Sequence, residues 1–170
     1  MNFLEKDLET IIWESNNEDL QKKHLPIKGK KFRQLKIGNY GFLDLMTVER
    51  KSFWCNVLHQ KTPFLRITVY ELKKEKVGIA AFLQAVKYCR GIKTFLEKKK
   101  PNIAFRPHIV LIAKQVDQQS DFVYLTDLLN HKYSDDLNVI NSVENYSFNY
   151  DINGISFIKH QENDLVLKGF

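Results

Sequence analysis

The spacing of apolar residues predicts one helix at the start of the chain and a longer one near its middle. In residues 2–15 apolar side chains recur every three or four positions, and Glu5 and Glu9 lie four apart along one edge of that stripe. Residues 77–98 show the same period and end in lysines followed by Pro101, which is typical of a helix C-terminus. The apolar positions expected on this second helix are Ile79, Phe82, Leu83, Val86, Ile92, Phe95 and Leu96.

Other segments have the composition of β-strands. Residues 32–37 and 41–48 flank a short Gly-Asn-Tyr connection and predict a hairpin. Residues 64–73 are apolar nearly throughout and rich in β-branched and aromatic side chains, as in a central strand that is covered on both faces. Residues 108–113 form a short apolar run that suits a buried strand. Asn153-Gly154 predicts a tight turn between two terminal strands.

The remaining segments complete the expected order of elements. The polar stretch 16–31 has no predicted element, and residues 52–60 are either another strand or an ordered loop. Residues 121–130 read as a helix with Ser120 as its N-cap, and residues 137–143 as a further strand. The order is a helix, a β-meander, a helix, a strand, a helix and a terminal strand pair. That order predicts an α/β fold with a mixed sheet and helices on both faces.

Composition narrows the class of protein. The chain has 170 residues, 44% of them hydrophobic, which fits a single domain over residues 1–170. No apolar run reaches the roughly 20 residues of a membrane helix and the N-terminus has no signal-peptide pattern, so we expect a cytoplasmic protein with no membrane partner. Cys55 and Cys89 match no metal-binding spacing and are expected to be reduced. The net charge of +6 suits a polyanionic partner.

Three residues on the predicted strands carry the candidate chemistry. Because side chains alternate along a strand, Glu71 and Lys73 point to the same face. A salt bridge where the strand ends is the alternative explanation of this pair. Asp44 lies inside a predicted strand, where an unpaired carboxylate is costly unless it caps, lies at an edge or binds a ligand. Two carboxylates on neighbouring strands make an oxygen site for Mg²⁺ or Mn²⁺, and a lysine beside them can act on water or a phosphate.

A further pair lies on the long helix. Gln84 and Tyr88 are four residues apart and share one face. Taken alone, this pair is better explained as an ordinary polar edge beside a core aromatic. In their joint order Asp44, Glu71, Lys73, Gln84 and Tyr88 resemble the PD-(D/E)XK nuclease superfamily, particularly its RecB-like branch, in which a Gln-x-x-x-Tyr motif follows the Glu-x-Lys strand. The Gln lies 13 residues after the Glu, which agrees with that pattern.

The resemblance implies a fold and an activity. It implies a restriction-endonuclease-like α-β-β-β-α-β core, here with a C-terminal β-hairpin, and a Mg²⁺- or Mn²⁺-dependent nuclease that acts on DNA, with RNA not excluded. The family also places a metal-binding glutamate on its first helix, for which Glu9 is the first choice and Glu5 the second. Gln84 and Tyr88 would brace the site or touch the nucleic acid backbone. The basic residues expected near phosphates are Lys74, Lys76 and Lys87.

Two departures and two rival functions accompany the resemblance. Leu43 stands where the family name has proline, and the gap between the aspartate and the glutamate is longer than in compact members. The extra piece, residues 49–63, holds Phe53, Trp54 and His59, and is an extra strand, a DNA-contacting loop or a dimer surface, with aromatic burial under the sheet favoured. The rivals are an inactive nucleic-acid-binding module and a protein-interaction or inhibitory protein. The small size predicts a homodimer or a partner protein that supplies specificity.

Overall fold

A computed structural model describes residues 4–100, 103–117, 122 and 143–160, which are built around one mixed sheet. The helices are α1 (Glu5–Glu14), α2 (Asn17–Lys22) and α3 (Ile79–Lys99), with a 3-10 turn at Gly38–Tyr40. The strands are β1 (Lys30–Lys36), β2 (Phe42–Cys55), β3 (Gln60–Leu72), β4 (Lys76–Val77), β5 (Phe105–Ala113), β6 (Gln115–Val116), β7 (Val143–Asp151) and β8 (Gly154–His160). None of the helices described is long and apolar enough to cross a membrane.

The main sheet has six strands in the order β1-β2-β3-β5-β7-β8. The hairpins β1–β2, β2–β3 and β7–β8 are antiparallel, whereas β3 pairs with β5 and β5 with β7 in parallel. β4 and β6 form a separate parallel pair. The parallel neighbours β3 and β5 are joined through α3, as a crossover connection requires. The predicted α/β class, the hairpin before the central strand and the terminal hairpin are therefore confirmed.

Each face of the sheet packs against its own layer of helix. On β5, Ile109 and Leu111 point towards α3, while Val110 and Ile112 point towards the layer that contains α1 and α2. This alternation explains why the central strands are apolar nearly throughout: both of their faces are buried. Each large apolar side chain buried in this way contributes about 1.5–3 kcal/mol. The prediction of helices on both faces is confirmed.

Hydrogen bonds connect the C-terminus of α1 to Lys31 on β1. The Nζ atom of Lys31 donates hydrogen bonds to the carbonyl oxygens of Ile12, Trp13 and Ser15, at 3.1, 2.8 and 2.5 Å. The last carbonyls of a helix have no partner within the helix, so an ammonium group at this place satisfies them and is favoured by the helix dipole. Burial lowers the pKa of Lys31. The contact fixes α1, and with it Glu5 and Glu9, against the sheet.

α3 is approached closely by the 3-10 turn at Gly91. A Cβ atom added there would lie 2.4 Å from Cγ2 of Ile37 and 2.8 Å from Cδ2 of Tyr40, so only a glycine fits. Gly41, at the end of the turn, has a φ of +109°, a conformation that glycine adopts at little cost. These two glycines let the chain turn tightly and enter β2 beside α3, just before Asp44.

Several expectations need correction. Residues 52–60 are not a separate strand but the end of one long hairpin: β2 continues to Cys55, residues 56–59 form the turn, and β3 begins at Gln60. The polar stretch 16–31 contains α2, whose N-cap Asn16 accepts a hydrogen bond from the backbone N–H of Asp19 at 2.8 Å. An isolated short helix of this kind leaves almost no periodic signal in the sequence.

The buried face of α3 also differs from the expectation. Phe82, Ile92 and Leu96 are buried as predicted. Four other positions expected on that face are exposed, namely Ile79, Leu83, Val86 and Phe95. Their places in the core are taken by Ala81, Ala85, Tyr88 and Gly91, small or amphipathic residues that allow the helix to lie close to the sheet.

Two predicted elements lie largely outside the described residues. Of the helix expected at 121–130 with Ser120 as N-cap, only Phe122 is described, and it is buried with its ring 6.4 Å from that of Phe82. Of the strand expected at 137–143, only Val143 is described, and β7 begins there. Cys55 and Cys89 are free, as predicted.

Candidate active site

β2 and β3 bring the two strand carboxylates together. Leu45 pairs with Tyr70 in the antiparallel ladder, and in the same register the next position along places Asp44 opposite Glu71. The ladder ends at Leu45 and Tyr70, and just beyond it Oδ2 of Asp44 accepts a hydrogen bond from the backbone N–H of Leu72 at 3.2 Å. The charge of Asp44 adds to the raised pKa of Glu71, so the structure brings the two acids expected from the sequence close together.

Glu71 is the most unusual group in the site. Its side chain is 0% exposed, and Nζ of Lys73 lies 2.7 Å from its Oε1 atom. Within the described part of the chain, neither carboxylate oxygen accepts a hydrogen bond of normal geometry. Burial raises the pKa of Glu71 to about 7, with Asp44 and Glu5 adding to the rise and Lys73 opposing it. Such a buried, poorly satisfied carboxylate is costly to the fold, which is common at functional sites.

The neighbours of Glu71 are shifted by the same environment. Burial raises the pKa of Asp44, and the nearby carboxylates of Glu5 and Glu9 add to this, while the Leu72 N–H and Lys73 partly offset it. Burial alone would lower the pKa of Lys73, but the surrounding carboxylates, Glu71 above all, outweigh it and the pKa is raised. Lys73 is therefore charged at neutral pH. The site combines a surplus of carboxylate with one fixed ammonium group.

α1 contributes two glutamates with different partners. Glu9 is 6% exposed, and both of its oxygens are engaged: Oε1 by Nε of Arg33 and Oε2 by Nε2 of Gln34 at 2.7 Å. Oε1 of Glu5 lies 3.8 Å from Nζ of Lys73. Glu5, the second choice from the sequence, is thus the glutamate beside the catalytic lysine candidate, while Glu9 is held by β1. Both still act on the pKa of Asp44 through their charge.

Gln84 and Tyr88 on α3 form a chain of two hydrogen bonds that ends on β2. Nε2 of Gln84 donates to the Tyr88 hydroxyl at 2.8 Å, and that hydroxyl donates to the carbonyl oxygen of Phe42 at 2.6 Å. Phe42 is the first residue of β2, two residues before Asp44. Burial raises the pKa of Tyr88, and the charges of Glu71 and Asp44 contribute. The hydroxyl therefore fixes the start of β2 against the helix, a bracing contact close to the carboxylates.

The three lysines expected near phosphates have different surroundings. Nζ of Lys74 lies 3.6 Å from Oε1 of Glu75, and Nζ of Lys76 lies 3.0 Å from Oδ1 of Asp117. Lys87 is exposed on α3. Lys76 is thus committed to an ion pair that the sequence did not indicate, since Asp117 lies 41 positions later and reaches it through the β4–β6 pair.

Sequence reasoning missed the β1 residues that organise the helix side of the site. Arg33 holds Glu9 and also donates through Nη2 to Oγ1 of Thr10 at 2.9 Å, and Gln34 has a positive φ of 50°. These partners are separated from Glu9 by 24 and 25 residues, so no local pattern could reveal them. The unfavourable φ of Gln34 is the one local sign, and it is visible only in the structure.

Asp44 and Glu71 could together hold a divalent cation that takes only a few of its ligands from the protein. No group of three or more His, Cys, Asp or Glu side chains among the described residues is arranged to hold a metal ion. Asp44 and Glu71 nevertheless lie close enough for the charge of Asp44 to raise the pKa of Glu71, and Oε2 of Glu71 has no hydrogen-bond partner in the described residues. Mg²⁺ is commonly held by one or two carboxylates with water and substrate phosphate as its other ligands. The two carboxylates suit Mg²⁺ bound in this way, rather than an ion whose ligands all come from the protein.

Comparison with known proteins does not place the chain in a family. No protein-family model, no curated protein and no solved structure matches it. The assignment of function therefore rests on the geometry and chemistry of Asp44, Glu71 and Lys73.

Proposed function

We propose that this chain is a metal-dependent nuclease that hydrolyses phosphodiester bonds in DNA. The observation that carries the proposal is Glu71, a fully buried carboxylate close to Asp44. The pKa of Glu71 is raised to about 7, and the Lys73 ammonium group lies 2.7 Å from its Oε1 atom. A salt bridge with Lys73 alone does not explain why a second acid, Asp44, lies close enough to a fully buried carboxylate to raise its pKa. The order α1, β1, β2, β3, α3, β5 also supports a restriction-endonuclease-like core as part of the proposal.

Asp44 and Glu71 are the residues that would hold Mg²⁺ or Mn²⁺. When bound, the ion supplies positive charge to the phosphoryl oxygens and makes water a better nucleophile. Proton and cation compete for Glu71, because its pKa of about 7 leaves it partly protonated at neutral pH without metal. The proposal therefore implies a cation affinity that rises with pH through the neutral range.

Lys73 has the two properties required of the positively charged partner. It is charged at neutral pH because the neighbouring carboxylates raise its pKa, and it is only partly buried, with 29% of its side chain exposed. Its ammonium group can donate to a phosphate oxygen or to the attacking water while the contact with Glu71 holds it in position. Glu5, 3.8 Å away, is a second restraint on Lys73.

Tyr88 and Gln84 are proposed as positioning residues. The Tyr88 hydroxyl is committed to the Phe42 carbonyl at 2.6 Å and to Gln84 at 2.8 Å. The contact holds the beginning of β2, and hence Asp44, relative to α3. A displacement of about 1 Å in such a site is enough to cost roughly a hundredfold in rate.

An inactive nucleic-acid-binding module of the same fold is the second candidate. The observation in its favour is Glu9, the first choice for the metal-binding glutamate, whose two oxygens are taken by Arg33 and Gln34 and are therefore not free for a cation. This candidate predicts binding of nucleic acid without turnover. Cleavage assays separate it from the nuclease.

The test is cleavage of labelled single-stranded, duplex and branched DNA, and of RNA, with Mg²⁺ or Mn²⁺. We expect metal-dependent cutting by the wild type and a loss of at least about a hundredfold in Asp44→Asn and Lys73→Met. Glu97→Gln and Lys93→Met are matched controls, because Lys93 and Glu97 form an exposed ion pair 3.8 Å apart on α3. Cutting that persists in the site variants, or that disappears equally in the controls, contradicts the proposed site.

A further inference from the structure

The hairpin of β2 and β3 extends well beyond the sheet. β1 pairs with β2 only as far as Val48, and β5 pairs with β3 only from Leu65 onwards. Residues 49–64, called the arm here, continue as a two-stranded ribbon. Glu49 and Arg50 still pair with β3 inside the sheet, and the pairs from Lys51 and Phe64 to Cys55 and Gln60 lie beyond it. In that outer part the two strands pair only with each other among the described strands. A projecting ribbon of this length needs a reason, since free strand edges promote aggregation.

The outer end of the arm is apolar and exposed. Trp54 is 56% exposed, and Val57 and Leu58 in the turn are 84% and 58% exposed. The expectation that the aromatic residues of this segment pack under the sheet is thus wrong for Trp54. Apolar side chains clustered at an exposed tip usually mark a contact surface.

The charge of the arm is positive. It carries Arg50, Lys51 and Lys61 against a single acid, Glu49, whose Oε2 lies 3.5 Å from Nζ of Lys51. Lys61 pairs directly with Trp54 across the ribbon, so a cation and an exposed indole are adjacent at the tip. Positive charge beside an exposed aromatic ring suits a nucleic acid, whose phosphates and bases meet both. A second copy of the same arm would instead bring like charges together.

The base of the arm is stiffened by an aromatic cluster. The rings of Phe53 and Phe64 lie 5.9 Å apart on one face of the ribbon, and the guanidinium of Arg106 on β5 lies 4.9 and 4.7 Å from their centroids. Contacts of this kind hold the ribbon in line with the sheet. These contacts connect the arm to β5 of the main sheet.

The distance along the hairpin matches one turn of a double helix. Trp54 is ten residues from Asp44 along β2, and Lys61 is ten residues from Glu71 along β3. Along β3 the alternation of strand side chains puts Lys61 on the same face as Glu71, and Trp54 lies directly opposite Lys61 in the ribbon. Ten residues of strand span about 33 Å. One turn of duplex DNA rises about 34 Å, and its major groove admits a two-stranded ribbon.

We propose that the arm binds duplex DNA about one helical turn from the phosphate that Lys73 would contact beside Asp44 and Glu71. Trp54 and the turn residues enter a groove and Lys61 contacts the backbone. This inference rests on the proposed nuclease function for the position of the bound phosphate. It makes duplex DNA, rather than a single strand or RNA, the substrate class, because a duplex is stiff enough to reach both places.

The experiment measures binding of labelled duplexes of about 8 and about 20 base pairs to the full chain in EDTA, so that cleavage does not intervene. We expect the wild type to bind the longer duplex more tightly. Trp54→Ala combined with Lys61→Ala is expected to weaken binding of the longer duplex roughly tenfold. The slope of log affinity against log salt concentration should fall by about one, which corresponds to one lost phosphate contact. Binding of the shorter duplex should not change. The matched control combines Ile152→Ala, in the exposed β7–β8 turn, with Lys22→Ala on α2.

Each other outcome overturns the proposal. If the arm and control variants bind DNA equally well, the arm does not contact DNA. If the arm variant weakens binding of both duplex lengths equally, the arm does not contact DNA one helical turn from the candidate active site. A change in molecular mass of the arm variant, measured by light scattering, assigns the arm to self-association. The two proposals also fail separately. Cleavage without any effect of the arm variant refutes the arm alone, whereas arm-dependent binding without cleavage refutes the nuclease and leaves a duplex-binding arm.

Discussion

Replacement of Glu71 by glutamine should stabilise the metal-free protein at alkaline pH. Burial raises the pKa of this carboxyl from 4.5 to about 7. The folded state therefore favours the protonated form: that stabilisation is complete below pH 4.5 and is lost as the pH rises through about 7. A pKa change of this size corresponds to about 3 kcal/mol. Glutamine keeps the shape of the side chain without its charge. We therefore expect the free energy of unfolding of Glu71→Gln at pH 8.5 to exceed that of the wild type by up to about 3 kcal/mol, reduced by the loss of the ion pair with Lys73.

The assay is urea unfolding in EDTA at pH 4.5 and pH 8.5, with Glu144→Gln as a control of opposite sign. Although burial alone would raise the pKa of Glu144, His108 and Lys159 lower it to about 2. The Lys159 Nζ atom is 2.9 Å from Oε1, and the Tyr146 hydroxyl is 3.1 Å from Oε2. The stability supplied by Glu144 is present above pH 4.5 and is lost as the pH falls through about 2. Glu144→Gln should therefore lose up to about 3 kcal/mol at pH 4.5, and less at pH 8.5 because the contribution of His108 requires a protonated imidazole.

Two results would refute this reasoning. If Glu71→Gln is less stable than the wild type at pH 8.5, the ion pair with Lys73 outweighs the burial of the carboxylate, and Glu71 is a structural group rather than a strained ligand. If the gain is the same at pH 4.5 and pH 8.5, it does not arise from ionisation of Glu71. Addition of Mg²⁺ at pH 8.5 should raise the stability of the wild type and not of Glu71→Gln, as expected for a ligand that binds the folded state.

Two further substitutions test the packing around the site. Gly91→Ala should destabilise the protein by about 1–2 kcal/mol in urea unfolding, although alanine is the better helix former, because the new methyl group would meet Tyr40; a gain in stability would contradict the close approach. Tyr88→Phe should cost about 1 kcal/mol through the lost hydrogen bond to the Phe42 carbonyl, and in the proposed nuclease it should lower kcat more than it raises KM. A wild-type kcat in Tyr88→Phe would remove it as a positioning residue.

Local pattern predicted most of the central fold. The apolar, β-branched composition of residues 64–73 marked the buried central strand, and Asn153-Gly154 marked the terminal turn, because both signals depend on neighbouring residues alone. The long helix was also found within two residues of its ends. Its buried face was not, because an apolar residue such as Phe95 has the same pattern whether it packs inward or remains exposed.

The candidate site divides in the same way. The sequence by itself determined that Glu71 and Lys73 share a face, since this follows from the alternation of strand side chains. Only the tertiary structure decided that Asp44 lies opposite Glu71, that Glu9 is engaged by Arg33 and Gln34, and that residues 49–64 form an arm. The physical reason is that strand register and the partners of a buried charge depend on contacts between distant parts of the chain, which no local pattern records.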